Sequence, residues 1–302
     1  PTSSAKDAIK QLQRIKWSYL LSSLFYLICF TATAQLVHPV SIPFSKATDF
    51  NTEYTKDQQV KTIFLKYLSK KDGELIVEHS VEKKFYFNDN GEPFKELYIE
   101  QRGQTTDSLV SAFEFNSDFQ VTKQIDRYRS QENRKHVFYN QSGRIIKEVT
   151  IEVKNNRADT SSIINYTEAY TDKNFAKRFM LNSENRPFIE QRYYYDDQGR
   201  LINKEEDLFI TTKSRKESRV YQNDLLKEIR YSNQINNNSN GKYTFEYKAK
   251  QLEFIYQYEQ EELIKKTAFV YSVSDPNLLE ALVIRYPKKE VIEIITIKYT
   301  YL

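Results

Sequence analysis

Cysteine, tryptophan, histidine, glycine and proline are all scarce in this chain of 302 residues. It has one cysteine, Cys29, and one tryptophan, Trp17. A single cysteine excludes an internal disulfide and a zinc site built from several thiolates. The six glycines and seven prolines exclude collagen-like and Pro/Gly-rich low-complexity architectures. The chain also has just three histidines, His38, His79 and His136, without the spacing of a zinc-binding or metalloprotease motif.

Aromatic residues, by contrast, are abundant. The chain has 23 tyrosines and 19 phenylalanines, and aromatic residues make up 14% of the total. That much apolar area can offset the conformational entropy lost on folding, which excludes ordinary disorder. We therefore expect a folded chain whose core is rich in aromatic side chains.

The N-terminal residues have the pattern of a secretory signal peptide. Lys10 and Arg14 precede an apolar run from Trp17 to Phe30, and small residues follow up to Ala34. This order of basic, apolar and small-residue regions predicts cleavage after Ala34, so residues 1–34 are expected to be removed. The alternatives are an uncleaved membrane anchor and a lipoprotein signal, and bulky Ile28 before the cysteine disfavours the latter.

Removal of the signal peptide changes the charge and the chemistry of the chain. Residues 1–34 carry four basic residues and one acidic residue, so 41 basic and 40 acidic residues remain. A nearly neutral chain gives no electrostatic reason to expect a nucleic-acid partner. The mature chain would also have no thiol nucleophile, because its one cysteine leaves with the signal.

A repeat of about fifty residues organises the rest of the sequence. Three similar segments, 85–101, 137–153 and 193–210, each begin with aromatic residues and continue through a polar turn to a Lys/Glu-rich stretch. Their glycines are Gly91, Gly143 and Gly199, with spacings of 52 and 56 residues. A glycine that follows an Asn- or Asp-led polar group suits a positive φ, so these three glycines are predicted to sit in hairpin turns.

Within each copy, apolar and polar residues alternate with a period of two. Val149, Ile151 and Val153, for example, alternate with polar side chains. Such alternation predicts antiparallel strands with one buried and one wet face. The expected fold is all-β, with repeated antiparallel β-hairpins in a long, curved, twisted meander sheet that is open, solenoid-like or partly closed. Residues 35–59 are expected to form an extended lead-in and residues 60–302 the β-hairpin repeat domain.

One segment near the start of that domain fits two kinds of structure. Residues 57–73 place apolar side chains at helical spacing, but the same letters also fit a strand that turns at Gly73. The period of the neighbouring segments favours the strand.

The best copy of the repeat resembles a known family. Residues 193–201, Tyr-Tyr-Tyr-Asp-Asp-Gln-Gly-Arg-Leu, are similar to the YD repeats of RHS-type secreted and surface proteins of bacteria, and residues 85–92 and 138–145 match less closely. The resemblance implies an exported β-repeat protein that forms a curved sheet or shell. The chain also resembles small exported bacterial repeat proteins that have no assigned activity.

The sequence contains no recognisable catalytic motif. Asp196 and Asp197, with Glu205 and Glu206, could supply the two carboxylates of a glycoside hydrolase, but neighbouring residues on a strand point to opposite faces. The Asn/Asp-rich turns have too few oxygen ligands for calcium. We therefore expect no catalytic residue, no cofactor and no metal site.

The wet face of the predicted sheet suggests a binding role. Tyr86, Tyr98 and Tyr194 are candidates for a binding surface, because tyrosine combines an apolar ring with a polar tip. The expected function is a non-enzymatic binding or scaffold module of the Gram-negative cell envelope, located in the periplasm, on the outer membrane or outside the cell. Its partner would be an envelope protein or glycan, with no nucleic acid.

Two alternatives to this binding or scaffold function remain open. One is an outer-membrane β-barrel, which would make the membrane a partner, because the many alternating strands end in an aromatic-rich segment, residues 298–302. The mean hydropathy of −0.69 speaks against it. The other is a glycan-active enzyme.

Overall fold

A computed structural model describes residues 50–155, 157–235, 239–275 and 278–301. This part of the chain has one short helix, α1 (Thr52–Asp57), and eighteen strands. The strands are β1 (Val60–Lys71), β2 (Val77–Phe87), β3 (Pro93–Arg102), β4 (Thr105–Phe115), β5 (Val121–Tyr128), β6 (Gln131–Tyr139), β7 (Ile145–Lys154), β8 (Arg157–Thr171), β9 (Phe175–Leu181), β10 (Pro187–Tyr195), β11 (Leu201–Leu208), β12 (Ser214–Gln222), β13 (Leu225–Asn233), β14 (Ser239–Lys248), β15 (Gln251–Glu259), β16 (Glu262–Tyr271), β17 (Leu279–Tyr286) and β18 (Val291–Tyr301). A 3-10 turn, Pro287–Lys289, precedes β18. No helix in the described residues is long and apolar enough to span a membrane.

The eighteen strands form one closed antiparallel barrel. Each strand pairs with the strands before and after it in the sequence, and β18 also pairs with β1, from Val60 opposite Tyr301 to Lys71 opposite Val291. The all-β prediction is confirmed. The prediction of an open, solenoid-like or partly closed meander is wrong, because the last strand completes the hydrogen bonding of the first. Among the described strands, closure leaves no unpaired sheet edge.

Five of the hairpin turns in the described residues share one hydrogen-bonding pattern. In the turn that begins at Asn88, the Asn88 N–H donates to the Glu92 carbonyl, and the Gly91 N–H donates to the Asn88 carbonyl. The Asn88 side chain accepts from the N–H groups of Asn90 and Glu92. The same bonds recur in the turns that begin at Asn116, Asn140, Asn182 and Asp196. An Asn or Asp in first position thus satisfies two backbone donors that the turn leaves free.

At the end of the barrel that carries the Gly91 turn, a β-bulge follows seven of the described hairpin turns. In the first of them, Phe87 ends one strand opposite Pro93, and the next residue, Phe94, is the extra one. Equivalent register shifts place an aromatic residue at or next to the end of β4, β6, β10, β12, β14 and β16 opposite an aliphatic residue at or next to the start of the following strand. An extra residue in one strand lets both facing residues point to the same side of the sheet. The aromatic clusters of the sequence repeat therefore mark these bulged hairpins.

Helix α1 covers the first bulged hairpin. Asn51 caps the helix, since its Oδ1 accepts the Glu53 and Tyr54 N–H groups at 3.1 and 3.2 Å. The Thr55 Oγ1 donates to the Gly91 carbonyl at 2.7 Å and is fully buried. Residues 52–57 thus form a docked helix within the segment expected to be an extended lead-in. The predicted strand at residues 60–71 is present as β1.

Candidate functional site

The two faces of the barrel wall differ sharply in burial. Ile63 and Leu65 are fully buried and lie on one face of β1. The strand registers identify the residues on the same face of each of the other seventeen strands. Every strand residue in the buried class, charged ones included, lies on this face, which we call the inward face. The residues that alternate with them form the outward face. The buried side chains of the strands are therefore confined to the inward face.

The barrel has two distinct ends. One end, which we call the helix end, carries α1 and the turns with Gly91, Gly143 and Gly199. Its inward side chains are mostly aromatic and aliphatic. The inward side chains at the opposite end are mainly polar, such as Glu152 and Asn133. A ligand that enters at the helix end therefore first meets apolar surface.

A cavity of about 540 Å³ lies at the helix end, beneath α1. It is lined by Phe50, Thr52, Pro93, Phe115, Phe119, Gln120, Val121, Tyr139, Gly143, Arg144, Ile145 and Arg178. A second cavity of about 210 Å³ shares Arg144 and Arg178 with it and extends to Tyr193 and Tyr195. The larger volume is within the range of about 300–1,000 Å³ that is typical of small-molecule sites. The candidate functional site is this pair of cavities.

Arg178 on β9 provides the inward charge of the site. Its Nε donates to Gln191 Oε1 at 2.6 Å, and its Nη2 donates to the Tyr193 hydroxyl at 2.9 Å. The guanidinium lies over the rings of Tyr166 and Tyr193, 4.9 and 5.2 Å from their centroids. These contacts fix its plane. They use two of the five N–H donors of an arginine.

Arg144 reaches the same site from a turn. Its Nη1 donates to Glu168 Oε2 at 2.7 Å and to the Thr171 hydroxyl at 3.2 Å. Glu168 is the register partner of Arg178 on the neighbouring strand, yet the carboxylate is engaged by Arg144. The glutamate therefore compensates one of the two guanidinium charges.

An inward network of charged groups lies behind Arg178. Glu206 accepts from Gln191 Nε2 at 2.7 Å and is paired with Lys204 at 2.9 Å and Arg215 at 3.1 Å. Burial alone would raise the pKa of Glu206, but the hydrogen bonds and the adjacent positive charges outweigh it and hold this pKa below its usual range. Glu206 is therefore a carboxylate at neutral pH. It holds Gln191, which in turn positions Arg178.

Tyr166 provides one of the two aromatic rings that contact Arg178. Burial and the charge of Glu148 raise the pKa of Tyr166 above its ordinary value, so its hydroxyl keeps its proton. That hydroxyl donates to Glu148 Oε2 at 2.9 Å, and Lys135 pairs with the same carboxylate at 2.7 Å. The ring beside Arg178 is thus held in place at both its face and its tip.

The tyrosines expected to form a binding surface do not lie together. Tyr98 is on the inward face of β3, opposite Lys83. Tyr86 and Tyr194 are on the outward face, on β2 and β10, which are eight strands apart in the ring. Tyr86 contacts Lys95 by a cation–π interaction, and the Tyr194 ring packs against an aromatic side chain of β9.

The three turn glycines occupy the left-handed region. Gly91, Gly143 and Gly199 have φ values of +77°, +72° and +78°. Their surroundings differ, because an added Cβ at Gly199 would meet nothing within 4 Å, whereas at Gly91 it would overlap the backbone of α1. One turn motif thus has two roles, as a free hairpin tip and as a docking point for the helix.

The residues considered for catalysis and metal binding are dispersed. Asp196 accepts backbone N–H groups within its turn, while Glu205 points outward and Glu206 inward. His79 lies on the inward face of β2 and His136 on the outward face of β6. In the described residues, no group of three or more His, Cys, Asp or Glu side chains is placed to hold a metal ion. The signal peptide, its cleavage site and His38 lie outside the described residues.

Sequence reasoning missed the two arginines of the site. On β9 the bulky residues Phe175 and Phe179 point outward, whereas Arg178 points inward. Period-two alternation alone would assign the phenylalanines to the core. The Arg144 position follows the glycine of the repeat motif, and this is the one signal that could have drawn attention to it.

Comparisons with known proteins leave the family of this chain unassigned. No family model and no curated protein matches. Among solved structures, a porin-like protein from Bacteroides uniformis has a TM-score of 0.41 and 12% identity, and covers 80% of this chain and 97% of its own. The TcdB2-TccC3-Cdc42 structure has a TM-score of 0.30 and 12% identity, covering 68% of this chain and 13% of that one. A LolA superfamily protein from Nitrosomonas europaea has a TM-score of 0.23 and 8% identity, covering 80% and 84%. All three TM-scores are below 0.5, so function has to be argued from this chain itself.

Proposed function

We propose that this chain is an exported envelope protein that binds a small molecule inside its barrel, without catalysis and with its outer wall in water. The observation that carries the proposal is the cavity at the helix end, because inward residues of the barrel wall line it and it combines apolar side chains with two guanidinium groups. Such a combination is typical of small-molecule sites. Glu205 and Glu206, the neighbouring acidic residues on β11, point to opposite sides of the wall and so do not form a catalytic carboxylate pair.

The outward face of β9 to β12 supports a wall that stands in water. Arg192 lies 2.9 Å from Glu205 and is also paired with Asp207. Lys177 pairs with Glu190 at 2.9 Å, and Lys216 lies 3.5 Å from Glu205. All of these residues lie within the strands. A lysine or arginine on the lipid face near the bilayer midplane costs about 2–4 kcal/mol, so three of them would oppose insertion strongly.

An outer-membrane barrel is the second candidate. A closed barrel with an even number of antiparallel strands agrees better with this alternative than with an open scaffold. On β7, Val149, Ile151 and Val153 point outward and Glu148 and Glu152 inward, which is the arrangement of a lipid-facing strand. The apolar face of β7 was expected to be buried, so its outward position is a correction to the sequence-based assignment.

Purification without detergent separates the two candidates. Residues 35–302 should remain monomeric and folded in aqueous buffer if the wall stands in water. Far-ultraviolet circular dichroism would give the strand content and size-exclusion chromatography with light scattering the mass. A requirement for detergent, together with insertion into vesicles, would favour the outer-membrane barrel.

The binding function has its own test. Protein purified from its natural compartment, or refolded and exposed to an envelope extract, should retain a small molecule that native mass spectrometry detects. Denaturation should release this molecule. A barrel that never retains a small molecule under these conditions would contradict the binding proposal.

A further inference from the structure

We propose that the cavity at the helix end binds a carboxylate with a long apolar body, of the fatty-acid type, and that Arg178 holds the carboxylate. This inference rests on the proposed binding function and specifies its ligand. It follows from three observations: the apolar lining, the inward guanidinium of Arg178 with no carboxylate beside it in the described residues, and the local charge balance.

The lining provides a surface for the apolar body. Phe115 and Val121 line the cavity from the β4–β5 hairpin, and Ile145 lines it from the neighbouring β6–β7 hairpin. Tyr139 lies among them, and its hydroxyl donates to the Val121 carbonyl at 2.8 Å. Because that hydroxyl is already hydrogen-bonded, Tyr139 offers its ring to a ligand and behaves as an apolar residue.

Arg178 differs from the other inward basic residues near it. Lys135, Lys204, Arg215 and Arg219 each have a carboxylate within 4.0 Å. Within the described residues, Arg178 has no carboxylate that close, and its two hydrogen bonds go to a neutral amide and a neutral hydroxyl. A guanidinium with free donors and a fixed plane is suited to a carboxylate, which it can bind through two parallel hydrogen bonds.

The local charge favours a ligand with a single negative charge. Arg144 and Arg178 bring two positive charges to the shared wall of the cavities, and Glu168 compensates the one on Arg144. One positive charge is left for the ligand. A dianionic phosphate monoester would need both guanidinium groups and would be repelled by Glu168, so we assign a carboxylate to the site.

The test uses dodecanoate as the probe and residues 35–302 as the protein. Isothermal titration calorimetry should show saturable binding of dodecanoate to the wild type. A hydrogen bond to a charged group contributes about 1.5–3 kcal/mol, so Arg178→Gln should weaken binding roughly 10- to 100-fold. Arg178→Lys keeps the charge but loses the fork, and we expect an intermediate affinity.

A matched control is an outward arginine of the neighbouring strand. Arg192 on β10 points outward and lines neither cavity, so Arg192→Gln removes a guanidinium from the wall without touching the site. Its affinity for dodecanoate should equal that of the wild type. Circular dichroism of all variants would establish that each is folded. If Arg178→Gln does not fold, the dodecanoate affinity of Arg178→Lys is compared with that of the wild type instead.

Ligand variants separate this inference from the proposed function. Dodecanol should bind the wild type about as weakly as dodecanoate binds Arg178→Gln, and dodecyl phosphate should bind less tightly than dodecanoate. Equal affinities of dodecanoate for the wild type and Arg178→Gln, or tighter binding of dodecyl phosphate, would overturn the inference. If dodecanoate fails to bind while another small molecule co-purifies with the barrel, the ligand assignment is wrong and the binding function stands. If no small molecule is retained at all, both fail.

Discussion

Replacing Gly91 by alanine should destabilise the barrel far more than the same change at Gly199, although the sequence presents both as equivalent turn glycines. The two residues have nearly the same backbone conformation, with φ of +77° and +78°. A Cβ at Gly199 meets nothing within 4 Å. A Cβ at Gly91 would lie 2.6 Å from the Lys56 amide nitrogen and 2.8 Å from Thr55 Oγ1, and closer still to a carbonyl oxygen of α1. Two of these three atoms belong to backbone, so the helix must move.

The expected magnitudes follow from these contacts. A left-handed backbone conformation costs an L-residue about 1–2 kcal/mol, and both variants should lose this amount. Gly91→Ala should also lose the hydrogen bond from Thr55 to the Gly91 carbonyl, worth about 1 kcal/mol. Displacement of α1 would partly expose Phe50 or Tyr54, which are 2% and 4% exposed. Burial of such a side chain contributes about 1.5–3 kcal/mol, so the additional loss should be roughly 2–4 kcal/mol.

Urea denaturation followed by tyrosine fluorescence and circular dichroism would measure the free energy of unfolding of both variants. The change at Gly143 is a useful intermediate, because a Cβ there would meet the flexible Gln120 side chain at 3.0 Å. We expect the loss of stability to increase from Gly199→Ala through Gly143→Ala to Gly91→Ala. Equal losses at Gly91 and Gly199 would refute the docking of α1 on this turn.

Three further predictions concern side chains of the wall. Lys83 and Glu96 form a buried ion pair at 2.7 Å, so Glu96→Gln should cost about 3–5 kcal/mol in denaturation experiments; the double change to Met and Leu should restore most of it. Tyr139→Phe should cost about 1 kcal/mol, because its hydroxyl is hydrogen-bonded, whereas the outward Tyr194→Phe should cost less than about 0.5 kcal/mol. The depressed pKa of Glu206 implies stability that is complete above about pH 5 and is lost as the pH falls below about 4.3 through the folded-state pKa. Glu206→Gln should flatten this part of the stability curve, measured by urea titrations between about pH 3 and 6; an unchanged curve would contradict the charged network around Glu206.

The local structure was predictable from the sequence because it depends on neighbouring residues. Period-two alternation predicted the strands, and the polar group before each glycine predicted turns that the structure places between strands. The helix at residues 52–57 was not predictable in the same way, because it has six residues and is held by a distant turn. Short segments of this kind are determined by tertiary contacts and not by their own propensity.

Period-two alternation could not predict that the sheet closes into a barrel, or which face of each strand points inward. An open and a closed sheet have the same period, and the deciding pairing joins Val60 to Tyr301 across nearly the whole described chain. Alternation also leaves open which face is inward, and β7 shows the apolar set outward. Arg178 was missed for a related reason, since its partners Gln191 and Tyr193 lie on another strand and are identified only by register.

The position of the cavity follows from how the barrel interior is built. In the described residues, the buried hydrophobic side chains of the strands come from β1, β2, β4 and β13 to β18. The inward faces of β9 to β12 carry the hydrogen-bonded network around Gln191 and Glu206 instead. The cavity lies between these regions, with Phe115 packed against the hydrophobic core on one side and Arg178 anchored to the polar network on the other. A site at such a boundary favours a ligand with one apolar and one charged part, because a wholly apolar ligand would leave Arg178 desolvated without a new partner.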